Sequence, residues 1–327
     1  MSISPNAEPL RPLGESPLKV APVALGCWPM SGMTTLNARD EDSLATLRAC
    51  FELGVNHLDT AYCYGAQGES ERLIAQAIRG RRDELVIATK GGIHWENGTM
   101  CHDGSPETLQ RECEESLQRL EIEVIDLYYL HSPDPKTPIA ESAGAIARLI
   151  QQGKVRAAGL SNGNVAQLAE FAKECRLTAI QPPYNILQRG IEKEILPWCR
   201  ERNVAVLVYW PLMKGLLTGK YPREHRFDPK DGRSKYPMFV GEEWEKNQDF
   251  LDALRAIAKD TDRTVAQVVI NWTIHQPGVT AALCGAIRES QIRDNASGMG
   301  WRLSAEQLAK IDAALVRRGE PKAGRAV

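Results

Sequence analysis

Residues 85–131 read LVIATKGGIHWENGTMCHDGSPETLQRECEESLQRLEIEVIDLYYLH, and they contain the unit from which the chain is built. The apolar runs at 85–88 and 125–130 are short and rich in β-formers, as strands are. Between them Leu109, Cys113, Leu117 and Leu120 recur on one helical face, behind Ser105 and Pro106, a capping residue followed by a first-turn proline. Strand, amphipathic helix and strand in that order are the pattern of a parallel βα unit, in which the helix covers the sheet.

The same alternation extends in both directions. Further β-rich runs at 23–25, 55–58, 155–159, 178–180, 204–208 and 280–283 bring the expected strands to eight. Helical stripes recur at Leu44, Leu47 and Phe51 and at Ile139, Ala143, Ile146 and Ile150, while Ser304 and Gln307 form a capping box before Leu308, Ile311 and Leu315. Eight units with no linker at mid-chain predict an α/β fold, a single-domain (β/α)8 TIM barrel with extra helices, over two doubly wound halves. The domain is expected over 11–327, after a flexible N-terminus at 1–10. Residues 11–19 read as a short hairpin that plugs the barrel's N-terminal mouth. The alternation breaks once, at 213–245, where Gly, Pro, Lys and Arg crowd together after the seventh strand; loops this long inside compact domains usually carry function.

At 327 residues and 43% hydrophobic content the chain can bury a large core. Forty Lys and Arg against 42 Asp and Glu leave a net charge of -2, so no global field favours nucleic acid or an anionic membrane. A small-molecule substrate is indicated. The first 18 residues lack the pattern of a signal peptide, and no stretch approaches the ~20 apolar residues of a membrane span, so a cytoplasmic location is expected. Cys27, Cys50, Cys63, Cys101, Cys113, Cys175, Cys199 and Cys284 are scattered without close pairs, which predicts reduced thiols. Cys101 and His102 fall in a Gly/Asp-rich loop without a second ligand pair at zinc-like spacing, so no metal site is expected. No heptad seam points to an obligate partner, and monomer and homo-oligomer both stay open.

In such a barrel the catalytic groups sit just past the C-terminal ends of strands. Strand two ends in Leu58-Asp59-Thr60-Ala61-Tyr62-Cys63-Tyr64-Gly65, strand three in Ala88-Thr89-Lys90 and strand four in Tyr129-Leu130-His131. An acid, a phenol, an amine and an imidazole on one rim suit delivery of a proton to a carbonyl oxygen as hydride reaches its carbon. Free tyrosine, with pKa ~10, is a poor acid at neutral pH. Lys90 is expected to lower that value by stabilising the phenolate, with Asp59 holding Lys90 charged and in place. His131 is expected to orient the carbonyl oxygen. Singly, each has a plainer reading: Asp59 as a helix cap, Lys90 as a solvated strand end, His131 as a satisfied core histidine. It is their position at three successive strand ends that argues for chemistry.

The string Asp59-Thr-Ala-x-x-Tyr64-Gly65, followed by Lys90 and His131, resembles the aldo-keto reductase superfamily. The likeness continues through Gly159-Leu-Ser161-Asn162, Gln181-x-x-Tyr184-Asn185, Tyr209-x-Pro211-Leu212-x-x-Gly215-Leu-Leu-x-Gly219-Lys220 and Gly285-Ala-x-Arg288-x-x-Gln291-Ile-x-Asp294-Asn295. The segment 220–245 resembles the bacterial branch of general stress and inositol-operon reductases. The resemblance implies an NAD(P)H-dependent oxidoreductase that reduces aldehydes or ketones, with Asp59, Tyr64, Lys90 and His131 as catalytic tetrad. It implies NADP(H) as the preferred cofactor, with NAD(H) possible.

No GxGxxG opens a helix after a strand, so a Rossmann site has no support, and Gly215-Leu-Leu-Thr-Gly219-Lys220-Tyr221 is one residue short of a phosphate loop. The resemblance instead makes this stretch, Gly215 to Tyr221, a backbone clasp over the pyrophosphate, with Lys220 and Arg233 supplying charge, and adds Trp210, Pro211, Leu212 and Lys214 to the cofactor contacts; as surface basics Lys220 and Arg233 also read as solvated loop charges. It assigns Ser161, Asn162 and Gln181 to the nicotinamide carboxamide and Tyr209 to stacking on the ring, with Cys27, Trp28 and Asp59 as further cofactor contacts. Gly285, Ala286, Arg288, Gln291, Asp294 and Asn295 fall to the adenosine end, with Arg288 near a 2′-phosphate. Ile287 departs from the basic residue of many NADPH-preferring relatives.

Trp28, Tyr64, His94, Trp95, His131 and Met213 are the expected substrate contacts, with Tyr236 and Phe239 as further wall residues. Trp210, where relatives often carry Ser, predicts a narrower pocket. Cys63 reads as an inert packed thiol or a redox-sensitive one. Two other readings remain at this point: a cofactor-binding regulatory subunit of a potassium channel, on the same fold, and a Schiff-base aldolase that uses Lys90 as nucleophile.

Overall fold

The computed structural model describes residues 8–33, 38–228 and 231–322. Most of the N-terminus expected to be flexible, residues 1–7, lies outside the described residues; Glu8 pairs with Arg11 at 2.9 Å. The chain enters through a two-stranded hairpin, β1 (Arg11–Pro12) and β2 (Lys19–Val20). Leu13 and Val20 pack into the barrel interior. Gly14, at φ +56°, sits against the carbonyls of Thr178 and Asn203, where a Cβ would lie 2.5 and 2.9 Å from their oxygens. Both carbonyls mark the N-terminal ends of strands, so the hairpin closes that mouth of the barrel as its sequence predicts.

The eight expected strands all form. They are β3 (Val23–Gly26), β4 (His57–Asp59), β5 (Val86–Gly91), β8 (Ile125–Leu130), β9 (Val155–Ser161), β10 (Leu177–Gln181), β11 (Ala205–Tyr209) and β12 (Ala281–Gly285). Neighbours pair in parallel, and β12 returns to β3 to close the barrel. Helices α1 (Asp40–Glu52), α2 (Glu69–Ile78), α3 (Pro106–Leu120), α4 (Ile139–Gln151), α5 (Val165–Glu174), α6 (Ile195–Glu201), α7 (Gly241–Asp260), α8 (Val265–Ile274), α9 (Glu289–Ala296) and α10 (Ala305–Arg318) surround it. Ser105 Oγ caps α3 by accepting from Thr108 N, and Ser304 with Gln307 forms the capping box of α10. Among the described residues no helix is long and apolar enough to cross a membrane.

The interior is a packed core in which small side chains make room for a few large ones. Ala24, Ala88, Ala157, Ala179, Ala205 and Ala281 line it with Leu127, Leu207, Leu283 and Tyr129. Gly159 on β9 is part of this fit, since a Cβ there would lie 2.3 Å from the ring of Tyr129.

Two stretches differ from the sequence expectation. Cys101 and His102 lie in a strand, not a loop: β6 (Ile93–Glu96) and β7 (Thr99–His102) form a hairpin after β5. Asn97 (φ +49°) and Gly98 (φ +77°) turn it, the residue pair that two-residue hairpin loops favour. After β11 the break in the barrel pattern ends earlier than expected, because α7 already begins at Gly241. The loop before it contains the turns Met213–Thr218, Gly232–Lys235 and Pro237–Phe239.

Candidate active site

Register places the polar groups of the rim. Asp59 pairs with Ala88 across β4 and β5, and Lys90 follows two residues on, its side chain on the same face as that of Ala88. Carboxylate and ammonium therefore project into the same end of the barrel. Lys90 Nζ donates to Asp59 Oδ1 at 2.6 Å and to the Thr60 carbonyl at 2.7 Å, with both side chains buried. The other carboxylate oxygen, Oδ2, accepts from Gln181 Nε2 at 2.7 Å. Lys90 is thus a double donor, an arrangement unsuited to attack on a carbonyl.

Tyr64 lies above this pair. Lys90 Nζ is 5.0 Å from the centroid of its ring, Trp28 packs edge-on at 5.0 Å and His131 at 5.9 Å. The structure brings the four expected residues together, but not with the expected electrostatics. Burial pushes the Tyr64 phenol well above its ordinary value, and the nearby Asp59 carboxylate adds to that shift. Lys90 does not reverse it, because its ammonium points into Asp59 and the Thr60 carbonyl. Burial, with the Lys90 charge behind it, holds the His131 imidazole well below its ordinary value, so the ring is neutral.

His131 is fixed on several sides. Its N–H donates to the Gly91 carbonyl at 2.9 Å, and its own carbonyl accepts from Asn162 Nδ2 at 3.1 Å. Ring atom Nδ1 lies 3.6 Å from the Cys63 sulfur. Trp95, on β6, donates from Nε1 to the Cys63 carbonyl at 2.9 Å and packs with Tyr64 and Met100 on a small cluster of Ala61, Cys63 and Ile93. His94 is turned away, its Nδ1 2.8 Å from the buried carboxyl of Glu112. These links to Cys63, Glu112 and Gln181 join residues far apart in sequence, and nothing in the local spacing announces them.

Around this centre the residues expected at a nicotinamide cofactor fall into three groups. Ser161 Oγ donates to the Gln181 carbonyl, and Asn162, at φ +60°, links Ser161 to Tyr209, whose hydroxyl donates to Asn162 Oδ1 at 2.8 Å. This hydroxyl, amide and phenol array lies beside Tyr64 and His131. Gln181 is less free than expected, since its amide nitrogen is engaged by Asp59. Cys27 is fully buried, its Sγ turned onto the Leu25 carbonyl at 3.7 Å and its N–H donated to the Asp59 carbonyl at 2.9 Å.

The second group is the loop after β11. Trp210 (φ +60°), Met213 (φ +45°), Lys214 (φ +54°) and Gly215 (φ +90°) fold it sharply back beyond Pro211 and Leu212. Lys214 Nζ stands 4.0 Å from the Trp210 ring centroid and 4.7 Å from that of Tyr236. Lys220 is exposed. Arg233 is held within the loop by Asp231 and the Tyr221 hydroxyl, so its charge is largely matched. Met213 and Phe239, expected on the pocket wall, are instead buried in the core, at 2% and 4% exposure. The loop needs apolar packing of its own to hold its turns, and these two side chains supply it.

The third group follows β12. Arg288 is exposed and precedes α9, while Gln291 Oε1 accepts from the N–H groups of Ile287 and Arg288 at 2.9 and 3.2 Å. Asn295 Nδ2 donates to the Gly285 carbonyl at 3.4 Å, and Ala286 beside it is buried. Asp294 is committed to α8, accepting from Thr264 Oγ1 at 3.0 Å and Gln267 Nε2 at 2.7 Å. An array of amides and hydroxyls, an aromatic ring, a glycine-containing turn and exposed cations is a donor set that fits a dinucleotide.

Comparison with known proteins agrees with this geometry. Residues 22–316 match the model of the Aldo/keto reductase family. The chain is 33% identical to the aldo-keto reductase YhdN of Bacillus subtilis, over 93% of this chain and 92% of that one. It is 32% identical to the NADH-specific methylglyoxal reductase of Escherichia coli, over 94% and 96%. The solved structure of the glycerol dehydrogenase AKR11B4 from Gluconobacter oxydans superposes with a TM-score of 0.88 at 35% identity, covering 96% of this chain and 98% of that one. All three are named as oxidoreductases, and the channel-subunit reading gains no support from them. The chain belongs to the aldo/keto reductase family and is an NAD(P)H-dependent oxidoreductase that reduces carbonyl compounds.

Proposed function

We propose that the rim of the barrel reduces a small aldehyde or ketone to its alcohol with Tyr64 as proton donor, and that NADPH is the preferred cofactor. The observation that carries this reading is the buried chain Gln181–Asp59–Lys90 beneath a phenol flanked by a neutral imidazole.

Bound dihydronicotinamide supplies the hydride. Ser161, Asn162 and Tyr209 would hold its amide and ring, the turn at 213–215 with Lys220 would take the pyrophosphate, and Arg288, Gln291 and Asn295 would take the adenosine end. Tyr64, kept protonated by burial, donates its proton to the carbonyl oxygen, and the charge of the phenolate left behind is offset in part by the Lys90 ammonium, 5.0 Å from the ring centroid though hydrogen-bonded to Asp59 and Thr60. His131, neutral, hydrogen-bonds the same oxygen and orients it. Trp28 and Trp95 pack with Tyr64 at this point, large rings that favour small substrates. The eight free cysteines suit a reducing compartment, consistent with the cytoplasm.

Replacement of Tyr64 by Phe tests the assignment. NADPH oxidation with a reactive aldehyde is expected to fall roughly 10²–10⁴-fold while the affinity for NADPH stays near wild type. Turnover at the wild-type rate would remove Tyr64 from its role.

A further inference from the structure

We propose that Cys63 is a positioning residue whose thiol donates to His131 Nδ1 and so fixes the imidazole in the tautomer that presents Nε2–H to the substrate oxygen. The inference rests on the reading of His131 as the group that orients the carbonyl.

A neutral imidazole carries one N–H, and the partner of one ring nitrogen decides which nitrogen bears it. Among the described residues, the partner of His131 Nδ1 is Cys63 Sγ, at 3.6 Å. Two arrangements are conceivable there. In one, the thiol donates and Nδ1 accepts; in the other, Nδ1–H donates and sulfur accepts. A thiol is a weak donor and sulfur a weak acceptor, so what favours the first is the group on the other side of the ring: a carbonyl oxygen can only accept, and it calls for the proton on Nε2. Burial also pushes the Cys63 thiol up to about 12, which keeps its proton in place as donor. The ring itself stays neutral for the reasons given above.

The surroundings hold both partners still. The Cys63 carbonyl accepts from Trp95 Nε1, and the sulfur is 2% exposed as part of its residue, so water does not compete for Nδ1 from that side. The backbone of His131 is tied to Gly91 and Asn162. With Nδ1 occupied as an acceptor, the remaining proton sits on Nε2. A carbonyl oxygen has no proton to give, so a histidine that orients it must be a donor; the opposite tautomer would set a lone pair against the oxygen.

The test separates tautomer from turnover. Full-length protein labelled with ¹⁵N-histidine is examined by long-range ¹H–¹⁵N NMR, with His131→Ala identifying the signal of interest. In wild type, Nε2 is expected to show the pyrrole-like shift and Nδ1 the pyridine-like one. Cys63→Ser, which keeps a donor, is expected to preserve that pattern, and Cys63→Val, which fills the site without one, to mix the tautomers. In parallel, Cys63→Val is expected to lower kcat/KM for the carbonyl about tenfold, with the KM for NADPH unchanged and Cys63→Ser restoring most of the loss. A wild-type Nδ1–H tautomer, or equal behaviour of the Val and Ser variants, overturns the proposal. Wild-type turnover in His131→Ala would instead overturn the role given to His131 while leaving the tautomer assignment standing.

Discussion

Lys90 and Asp59 form an ion pair inside the mouth of the barrel, Nζ to Oδ1 at 2.6 Å, with side-chain exposures of 1% and 4%. Removing one partner leaves the other charge buried without compensation, and such losses typically cost about 3–5 kcal/mol. Asp59→Asn is therefore expected to destabilise the fold by about that amount in urea unfolding and to abolish most turnover. The double variant Asp59→Asn with Lys90→Met is expected to regain much of the stability and none of the activity. If the double variant were less stable than Asp59→Asn alone, the ion pair would not be what holds the site together.

Arg288 is exposed at the start of α9, where a 2′-phosphate is expected. Its replacement by Ala is expected to raise the KM for NADPH roughly tenfold to a hundredfold, the scale of a lost charge-assisted hydrogen bond, and to leave that for NADH nearly unchanged. Competition kinetics with both cofactors measures this. Equal losses would place the phosphate elsewhere.

Glu112 on α3 is fully buried, and burial raises its carboxyl from an ordinary 4.5 to about 8. One of its oxygens lies 2.8 Å from His94 Nδ1, and the other accepts from Gly92 N at 2.7 Å. The folded state then holds a proton that the unfolded chain releases above about pH 4.5, so this contribution to stability is present at low pH and is lost as the pH rises through about 8. Glu112→Gln keeps the shape and removes the titration. Its stability relative to wild type is expected to grow across that window by on the order of a few kcal/mol and to level off above it. A flat difference from pH 5 to 9 in denaturant melts would contradict the shift.

Gly159 faces the ring of Tyr129, which a Cβ would approach to 2.3 Å. The ring is buried on all sides and has nowhere to move, so Gly159→Ala is expected to destabilise by about 1–3 kcal/mol, the usual cost of overpacking. Thermal denaturation measures it. A fully wild-type melting temperature would mean that the barrel interior has slack.

Much of the architecture is legible in the chain because it depends on local patterns. All eight strands lie where short β-rich runs predict them, and the caps at Ser105 and Ser304 mark real helix starts. The β6–β7 hairpin could have been found from Asn97-Gly98; composition concealed it, since the glycines and charges around that turn read as loop. The placement of Asp59, Tyr64, Lys90 and His131 on one rim likewise follows from strand ends, which a barrel gathers at one face. The burial of Met213 and Phe239 did not follow from sequence, because an apolar residue in a loop can serve a pocket or the loop's own packing equally well.

Alternation of apolar runs with helical stripes is enough, alone, to specify a closed parallel barrel, since the period of a segment says which face it must bury. It is also enough to nominate the residues at the strand ends. What it cannot determine is the state of those residues, because protonation depends on burial and on partners tens of residues away. Tyr64 has its pKa raised where spacing predicted a lowered one, Asp59 is shared between Lys90 and Gln181, and Cys63 meets His131, through contacts that exist only once β4, β5, β8 and β10 stand side by side.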